Sequence, residues 1–176
     1  IRPETMLNVA EKNNVGLPTK DPKELGSYLR IGKKRGTLED YLDRFEITLS
    51  VMQTPEALTR FTYELIEDVA RENVRYIEVR YSPFLHTKKG MALETTVDSV
   101  LKGLKKGEKH FGVKSGIIVC GIRSISPRIS LKLANLAVQY KNRGVVGFDL
   151  AGAEENFPAK EHQEAFYLIR NNNINA

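Results

Sequence analysis

The sequence VRYIEVRYSPFLHT, residues 74–87, contains the clearest β-strand pattern in this 176-residue chain. Its β-branched and aromatic residues suit a pleated sheet, and Pro83 ends the predicted strand. Alternation places Tyr76, Glu78 and Arg80 on one face and apolar side chains on the other. Charges on a buried strand are costly unless they are paired, so we expect this face to line a polar interior. The residues after Pro83 follow the carboxyl end of the strand, where α/β proteins place their chemistry.

The rest of the chain alternates between helical and strand patterns. Three nearly continuous apolar runs predict strands at residues 74–82, 116–123 and 145–152. Because amphipathic helices separate these strands, we predict parallel βα units in an α/β fold. Three strands cannot close a barrel, which takes about eight. We therefore expect residues 1–176 to form one domain that is part of a (β/α)8 TIM barrel, with the last residues beginning another strand.

Three of the predicted helices are tested below. One follows two proline turns and directs Tyr28 inward, and another runs from residue 158 to about residue 172. A third helix is predicted over residues 37–52 and carries an apolar stripe that either packs in the core or forms the wall of a pocket. The residues of this stripe are Leu38, Tyr41, Leu42 and Phe45.

Composition and charge exclude several classes of function. The net charge is +5, but the basic clusters are not interleaved with aromatic residues, so we expect a solvated surface and no nucleic-acid partner. No apolar run approaches the roughly 20 residues that span a bilayer, and no signal-peptide pattern is present, so we expect no membrane partner. The single cysteine, Cys120, lies in a predicted strand and is expected to pack there as an inert thiol. A lone cysteine also fits a reducing compartment, and we expect a cytoplasmic protein.

Charged residues occur near the carboxyl end of each predicted strand. They are Glu78 and Arg80 in the first strand, Arg123 in the second and Asp149 in the third. If these side chains face one interior, two positive and two negative charges balance each other. The pattern leaves two interpretations open, an ion network that supports the strands and direct contact with a substrate.

Histidine and cysteine residues do not form a readable metal site. His110 and His162 are expected to be exposed, and His86 follows the first strand without a second ligand at metal spacing. Gly152 is the more informative residue, because it ends the third strand where an absent side chain lets a ligand reach the backbone N–H. A turn glycine without a ligand is the alternative interpretation.

Two separated segments strongly resemble signatures of the adenosine deaminase family. Residues 72–87, ENVRYIEVRYSPFLHT, resemble its E-V-R-Y-S-P segment at the end of the second barrel strand. Residues 145–154, VVGFDLAGAE, resemble its D-L-A-G-x-E segment after the fourth strand. The opening IRPET matches the residues after the family's His-x-His-L-D-G motif, and the closing NNNINA leads to the place of its His-A-G-E motif. The resemblance covers the chain from end to end and corresponds to the N-terminal half of the family's barrel.

This resemblance implies a (β/α)8 hydrolase that converts adenosine, and also 2′-deoxyadenosine, to inosine and ammonia. In the family a zinc-activated water attacks the purine, and a glutamate and an aspartate assist. By the same resemblance, the zinc ligands and both carboxylates fall before Ile1 or after Ala176. We therefore expect this chain alone to contain no catalytic residue, to bind no zinc and to be inactive.

The resemblance assigns substrate-binding residues to this chain. Gly152 matches the glycine whose backbone N–H meets the purine nitrogen N3. The helix stripe matches an apolar lid over the nucleoside, formed by Leu38, Tyr41, Leu42 and Phe45. Leu85 and Ile122 match further positions that line the pocket. Adenosine is thus the expected small-molecule partner, and Arg80, Arg123 and Asp149 are expected to support the barrel interior.

A second hypothesis treats the chain as a catalytically inactive half-barrel that acts as a binding or oligomerisation module. The edges of a three-stranded parallel sheet are unpaired and apolar, so such a module would need a partner or a swapped dimer to cover them. This hypothesis predicts self-association through the open sheet edges.

Overall fold

Three parallel strands form the centre of the fold, and the computed structural model describes residues 1–30 and 44–176. The strands are β1 (Tyr76–Tyr81), β2 (Lys114–Ile122) and β3 (Val145–Ala151), and their order in the sheet is β1-β2-β3. The parallel pairing confirms the predicted βα units. The bounds of each strand differ from the predicted ones by at most two residues. The two largest differences are at strand starts: β1 begins at residue 76 rather than 74, and β2 begins at residue 114 rather than 116.

The described α-helices begin where the sequence supplies suitable residues. Thr54 accepts a hydrogen bond from the Ala57 N–H at the start of its helix, and Asp21 accepts one from the Glu24 N–H. Proline occupies the first turn of four of these helices, where its missing N–H costs nothing. The helices are α1 (Pro3–Lys12), α2 (Pro22–Leu29), α3 (Phe45–Val51), α4 (Pro55–Arg71), α5 (Leu93–Phe111), α6 (Pro127–Tyr140) and α7 (Gln163–Asn171). Short 3₁₀ helices lie at Pro83–His86, Lys141–Arg143 and Ala159–His162.

One face of the sheet packs against helices α5, α6 and α7. The apolar face of β1 meets this layer, as do Ile117 and Val119 of β2 and Phe148 of β3. A second, smaller core joins α1 and α2 to α3 and α4 around Met6, Leu25 and other buried apolar residues. Burial of these side chains, worth roughly 25 cal/mol per Å² of apolar surface, holds the helices to the sheet and to each other.

The opposite face of the sheet is open in the described structure. Tyr76 is 55% exposed, and Glu78 and Arg80 on the same face are also exposed. In the described residues, the helices that contact the sheet lie on the opposite side from Tyr76, Glu78 and Arg80. The predicted grouping of these three residues on one face is confirmed by the alternating burial along β1.

The final residues begin a fourth parallel strand beside β3. Asn175 forms a parallel bridge with Gly147, and its carbonyl oxygen accepts a hydrogen bond from the Phe148 N–H at 2.9 Å. This pairing confirms the expectation that a further strand starts here. The sheet thus grows in the direction that a barrel requires.

Two helix predictions need correction. Tyr28 is 43% exposed rather than directed inward, since Leu25 fills the buried position of the short helix α2. The predicted helix over residues 158–172 is divided into the 3₁₀ helix Ala159–His162 and the α-helix α7, with Pro158 extended at φ −67° and ψ 135°. None of the described helices is long and apolar enough to cross a lipid bilayer.

Candidate functional site

The carboxyl ends of β2 and β3 bring Ile122 and Gly152 together. Gly152 has φ +105°, a conformation that residues with a Cβ atom rarely adopt. A Cβ added to it would lie 3.2 Å from Ile122 Cγ2 and 3.4 Å from the Arg123 nitrogen. Glycine is therefore required here both by the backbone conformation and by the close approach of the neighbouring strand.

The peptide group before Gly152 has a fixed orientation. The Arg123 N–H donates a hydrogen bond to the Ala151 oxygen at 2.7 Å, just beyond the last paired residues of the two strands. Because a trans peptide is planar, its N–H points away from its C=O, so the Gly152 N–H points away from β2. Among the described residues, none accepts a hydrogen bond from this N–H. The edge of the sheet thus offers a backbone donor to a ligand.

Arg123 fastens the loop that follows Gly152. Its Nη2 lies 2.9 Å from Glu154 Oε1, and its Nη1 donates to the Phe157 oxygen at 3.4 Å. Only 18% of the Arg123 side chain is exposed, so the guanidinium is held largely inside the loop. The interpretation of Arg123 as part of one interior ion network with the strand charges is therefore wrong, because its partners lie in the loop after β3.

The other charged strand residues pair across or along the open face. Arg80 Nη1 lies 2.6 Å from Asp149 Oδ2, which ties β1 to β3 over β2. The Tyr76 hydroxyl donates to Glu78 Oε1 at 2.7 Å, and this hydrogen bond raises the pKa of Tyr76. Of the four predicted charges, Arg80 and Asp149 thus pair with each other, whereas Glu78 accepts a hydrogen bond from a neutral hydroxyl and Arg123 pairs with Glu154.

Leu85 lies in the loop after β1, which is fastened to the end of α3. The buried Gln53 side chain donates to the Leu85 oxygen at 2.9 Å and accepts from the Lys88 N–H at 3.0 Å. His86 contributes a second link, since its Nδ1 lies 2.9 Å from the Met52 oxygen. These bonds hold the loop that carries Leu85 against the helix that carries Phe45.

Phe45 begins α3 and is 43% exposed. It lines a cleft of about 370 Å³ together with Pro3, Leu29 and Arg44, at the junction of α1, α2 and α3. Glu46, the next residue, pairs with Lys88 of the loop after β1 at 2.6 Å. The other predicted lid residues, Leu38, Tyr41 and Leu42, lie outside the described residues.

The three histidines have different environments. His110 is exposed, as expected, and its Nδ1 lies 2.9 Å from the Tyr63 hydroxyl. His162 was expected to be exposed, and this is wrong, because only 1% of its surface is accessible. Burial lowers the pKa of His86, and the hydrogen bond with the Met52 backbone opposes this effect. In residues 1–30 and 44–176, no group of three or more His, Cys, Asp or Glu side chains is placed to hold a metal ion.

Cys120 is 3% exposed, which confirms its predicted burial in the second strand. Burial raises the pKa of its thiol to about 11, and the nearby Asp149 carboxylate acts in the same direction. A thiol with a raised pKa is a poor nucleophile, so Cys120 is a packing residue.

Sequence reasoning did not identify Gln53 or His162 as supports of the site. Gln53 follows Met52 at the end of a predicted helix, and nothing in its neighbours indicates three hydrogen bonds to backbone groups. His162 lies among charged residues, a pattern that is typical of an exposed helix start. Its burial depends on Arg123 and Ser130, which are 39 and 32 residues away in the chain.

Comparison with known proteins gives consistent matches across the chain. The family model described as adenosine deaminase matches residues 1–176. A probable adenosine deaminase of Dictyostelium discoideum is 41% identical over 175 residues, which is 99% of this chain and 23% of that protein. An adenosine deaminase of Enterococcus faecalis is 43% identical over 168 residues, which is 96% of this chain and 50% of that protein. The chain therefore spans half or less of the length of these relatives.

Solved structures share the fold. An adenine deaminase from Arthrobacter aurescens aligns with a TM-score of 0.83 and 27% identity, over 98% of this chain and 51% of that chain. An amidohydrolase from Burkholderia ambifaria, solved with bound Zn, aligns with a TM-score of 0.84 and 18% identity, over 99% of this chain and 47% of that chain. The three strands and their helices thus match about half of each of these structures, and the fold is part of a (β/α)8 TIM barrel.

Proposed function

This chain belongs to the adenosine deaminase family, and from that premise we propose that the complete protein hydrolyses adenosine, and 2′-deoxyadenosine, to inosine and ammonia. One water molecule is consumed, its oxygen replaces the amino group at C6 of the purine, and ammonia leaves. The observation that carries this proposal is the family match over the whole chain, together with relatives of about 40% identity that bear the same name. The reaction belongs to purine metabolism.

The contribution of this chain would be to bind the nucleoside. The Gly152 N–H points away from β2 and has no acceptor among the described residues, so it suits the ring nitrogen N3 of a purine as a hydrogen-bond acceptor. Ile122 lies beside it, and Leu85 follows the neighbouring strand. Apolar side chains at this edge would cover the faces of the base.

The lid is the second part of the proposed binding site. We assign it to Leu38, Tyr41, Leu42 and Phe45, of which Phe45 alone lies in the described residues. Its helix is fastened to the Leu85 loop through Gln53, so closure of the lid and formation of the pocket would depend on the same contacts. An apolar lid would exclude bulk water from the base.

The described residues do not fit a zinc ion, because they contain no group of suitable side chains. The zinc-bound structural neighbour and the family resemblance support zinc in the complete enzyme. Its ligands would then come from residues other than the described ones, and no catalytic residue is assigned to this chain. We expect the 176-residue chain alone to be inactive.

The proposed partners and location follow from the same reasoning. The family match supports adenosine as the small-molecule partner, and basic clusters without interleaved aromatic residues favour no nucleic-acid partner. A single buried cysteine supports a cytoplasmic location. The open face and edges of the sheet support self-association of the chain when it is isolated.

The test compares the full-length protein with residues 1–176 expressed alone. We expect the full-length protein to convert adenosine to inosine, followed by the change in ultraviolet absorbance, with one zinc per chain and much slower turnover of adenine and AMP. Residues 1–176 alone should show neither zinc nor turnover. Full-length protein that contains zinc but prefers adenine or AMP would overturn the assigned substrate. Full-length protein without zinc or turnover would instead favour the inactive half-barrel.

A further inference from the structure

His162 is a buried histidine whose two ring nitrogens both have partners. It ends the 3₁₀ helix Ala159–His162, and only 1% of its surface is exposed. Its Nε2 lies 3.2 Å from the Arg123 oxygen, and its Nδ1 lies 2.8 Å from the Ser130 hydroxyl oxygen. A carbonyl oxygen can only accept, so Nε2 donates to Arg123. A ring with its hydrogen on Nε2 then accepts the Ser130 hydroxyl hydrogen at Nδ1.

These two bonds connect three segments of the chain. Arg123 follows β2, Ser130 lies in the first turn of α6, and His162 follows the loop after β3. Ser130 is itself only 1% exposed, so both partners of this bond are shielded from water. Leaving either polar group unpaired at such a depth is unfavourable, so the two bonds hold the loop, the helix and the strand end in one arrangement.

Arg123 links the His162 contacts to the peptide group of Gly152. Its N–H fixes the Ala151 oxygen, and this oxygen belongs to the same peptide group as the Gly152 N–H. Its guanidinium binds Glu154 and the Phe157 oxygen, both in the loop that begins at Gly152. The backbone N, the backbone O and the side chain of Arg123 therefore contact β3, His162 and the loop at the same time.

We propose that His162 is a positioning residue for nucleoside binding, which holds Arg123 so that the Gly152 N–H points at the purine. This inference rests on the proposed function for the role of Gly152 as a ligand donor. His162 itself contacts no substrate in this assignment. Its effect would fall on affinity, because the orientation of one hydrogen-bond donor decides whether the base is bound in the productive place.

The experiment uses four variants of the full-length protein. His162→Leu removes both bonds, His162→Gln keeps a donor near the position of Nε2, His162→Asn keeps an acceptor near the position of Nδ1, and Ser130→Ala removes the helix partner. We expect His162→Leu and His162→Asn to raise the adenosine KM about tenfold with kcat changed less than threefold and zinc content unchanged. His162→Gln and Ser130→Ala should stay within about threefold of the parent.

A second readout does not depend on activity. Amide hydrogen exchange of residues 151–157 should become faster in His162→Leu and His162→Asn and remain near the parental rate in His162→Gln, with exchange in β1 unchanged in all variants. Equal exchange in the loop of His162→Leu and the parent would overturn the inference even if the protein is an adenosine deaminase. A parent that does not turn over adenosine would overturn the proposed function, while exchange would still report whether His162 holds the loop.

Discussion

Gly152 has a positive φ and lies close to the neighbouring strand. Each of these two features predicts that a larger side chain at this position lowers stability. In Gly152→Ala, the strained backbone and the Cβ atom at 3.2 Å from Ile122 Cγ2 should lower the free energy of unfolding by about 1–3 kcal/mol. The peptide before it should rotate, so the N–H would no longer point at the ligand. We expect the adenosine KM of the full-length protein to rise at least about tenfold, measured by steady-state kinetics.

Gly90 provides a matched control for Gly152. It also has a positive φ, +83°, but no atom of the described residues lies within 4 Å of an added Cβ. Gly90→Ala should therefore lower the free energy of unfolding by about 1 kcal/mol through backbone strain and leave the adenosine KM unchanged. If Gly152→Ala and Gly90→Ala raise the adenosine KM equally, backbone strain rather than the position of Gly152 accounts for the weaker binding.

His86 joins the loop after β1 to the end of α3. Burial of this histidine favours its neutral form over its charged form. Burial holds the pKa of His86 below its ordinary value in the folded state. The unfolded chain therefore binds a proton first as pH falls, and the contribution of His86 to stability is full above about pH 6.5 and is lost below it. We expect the free energy of unfolding, measured by urea titration, to decrease from pH 7.5 to pH 5.5 partly through this residue.

His86→Asn is the informative variant for this contact. Asparagine keeps a donor near the position of Nδ1 for the Met52 oxygen but does not titrate, so its free energy of unfolding should depend less on pH than that of the parent. His86→Ala should lose stability at both pH values, because the Met52 oxygen loses its partner. If the free energy of unfolding depends on pH equally in the parent and in His86→Asn, the proposed contribution of His86 to the pH dependence is wrong.

The elements were largely predictable from the sequence, whereas the contacts that hold the site were not. Residues 74–87 predict β1, its alternation and the turn at Pro83, because these features depend on neighbours in the chain. The pairing of Arg123 with Glu154 and the burial of His162 depend on how separate loops meet, and this information is absent from local periodicity. Gly152 was selected from the sequence because a glycine at the end of a strand is a local signal with a physical reason, and its role in ligand binding stays a prediction.

In residues 1–30 and 44–176, one face of the sheet packs against helices and the other face is open. β1 pairs only with β2 among the described strands, and its open face carries Tyr76 at 55% exposure. An edge strand with an exposed aromatic side chain favours association with another sheet. We expect residues 1–176 expressed alone to form dimers or larger species as the concentration rises from about 1 to 100 μM, measured by analytical ultracentrifugation.

Substitution of two exposed tyrosines, Tyr76 on the sheet and Tyr28 on a helix, tests whether self-association depends on the open face of the sheet. Tyr76→Lys places a charge at the open edge without touching the packed face, so it should weaken the self-association of the isolated chain at least about fivefold. Tyr28→Lys changes a tyrosine of comparable exposure, 43%, on α2 and should leave association unchanged. Equal effects of both substitutions would indicate a general gain in charge. An isolated chain that stays monomeric throughout would show that the exposed face of the sheet does not drive association.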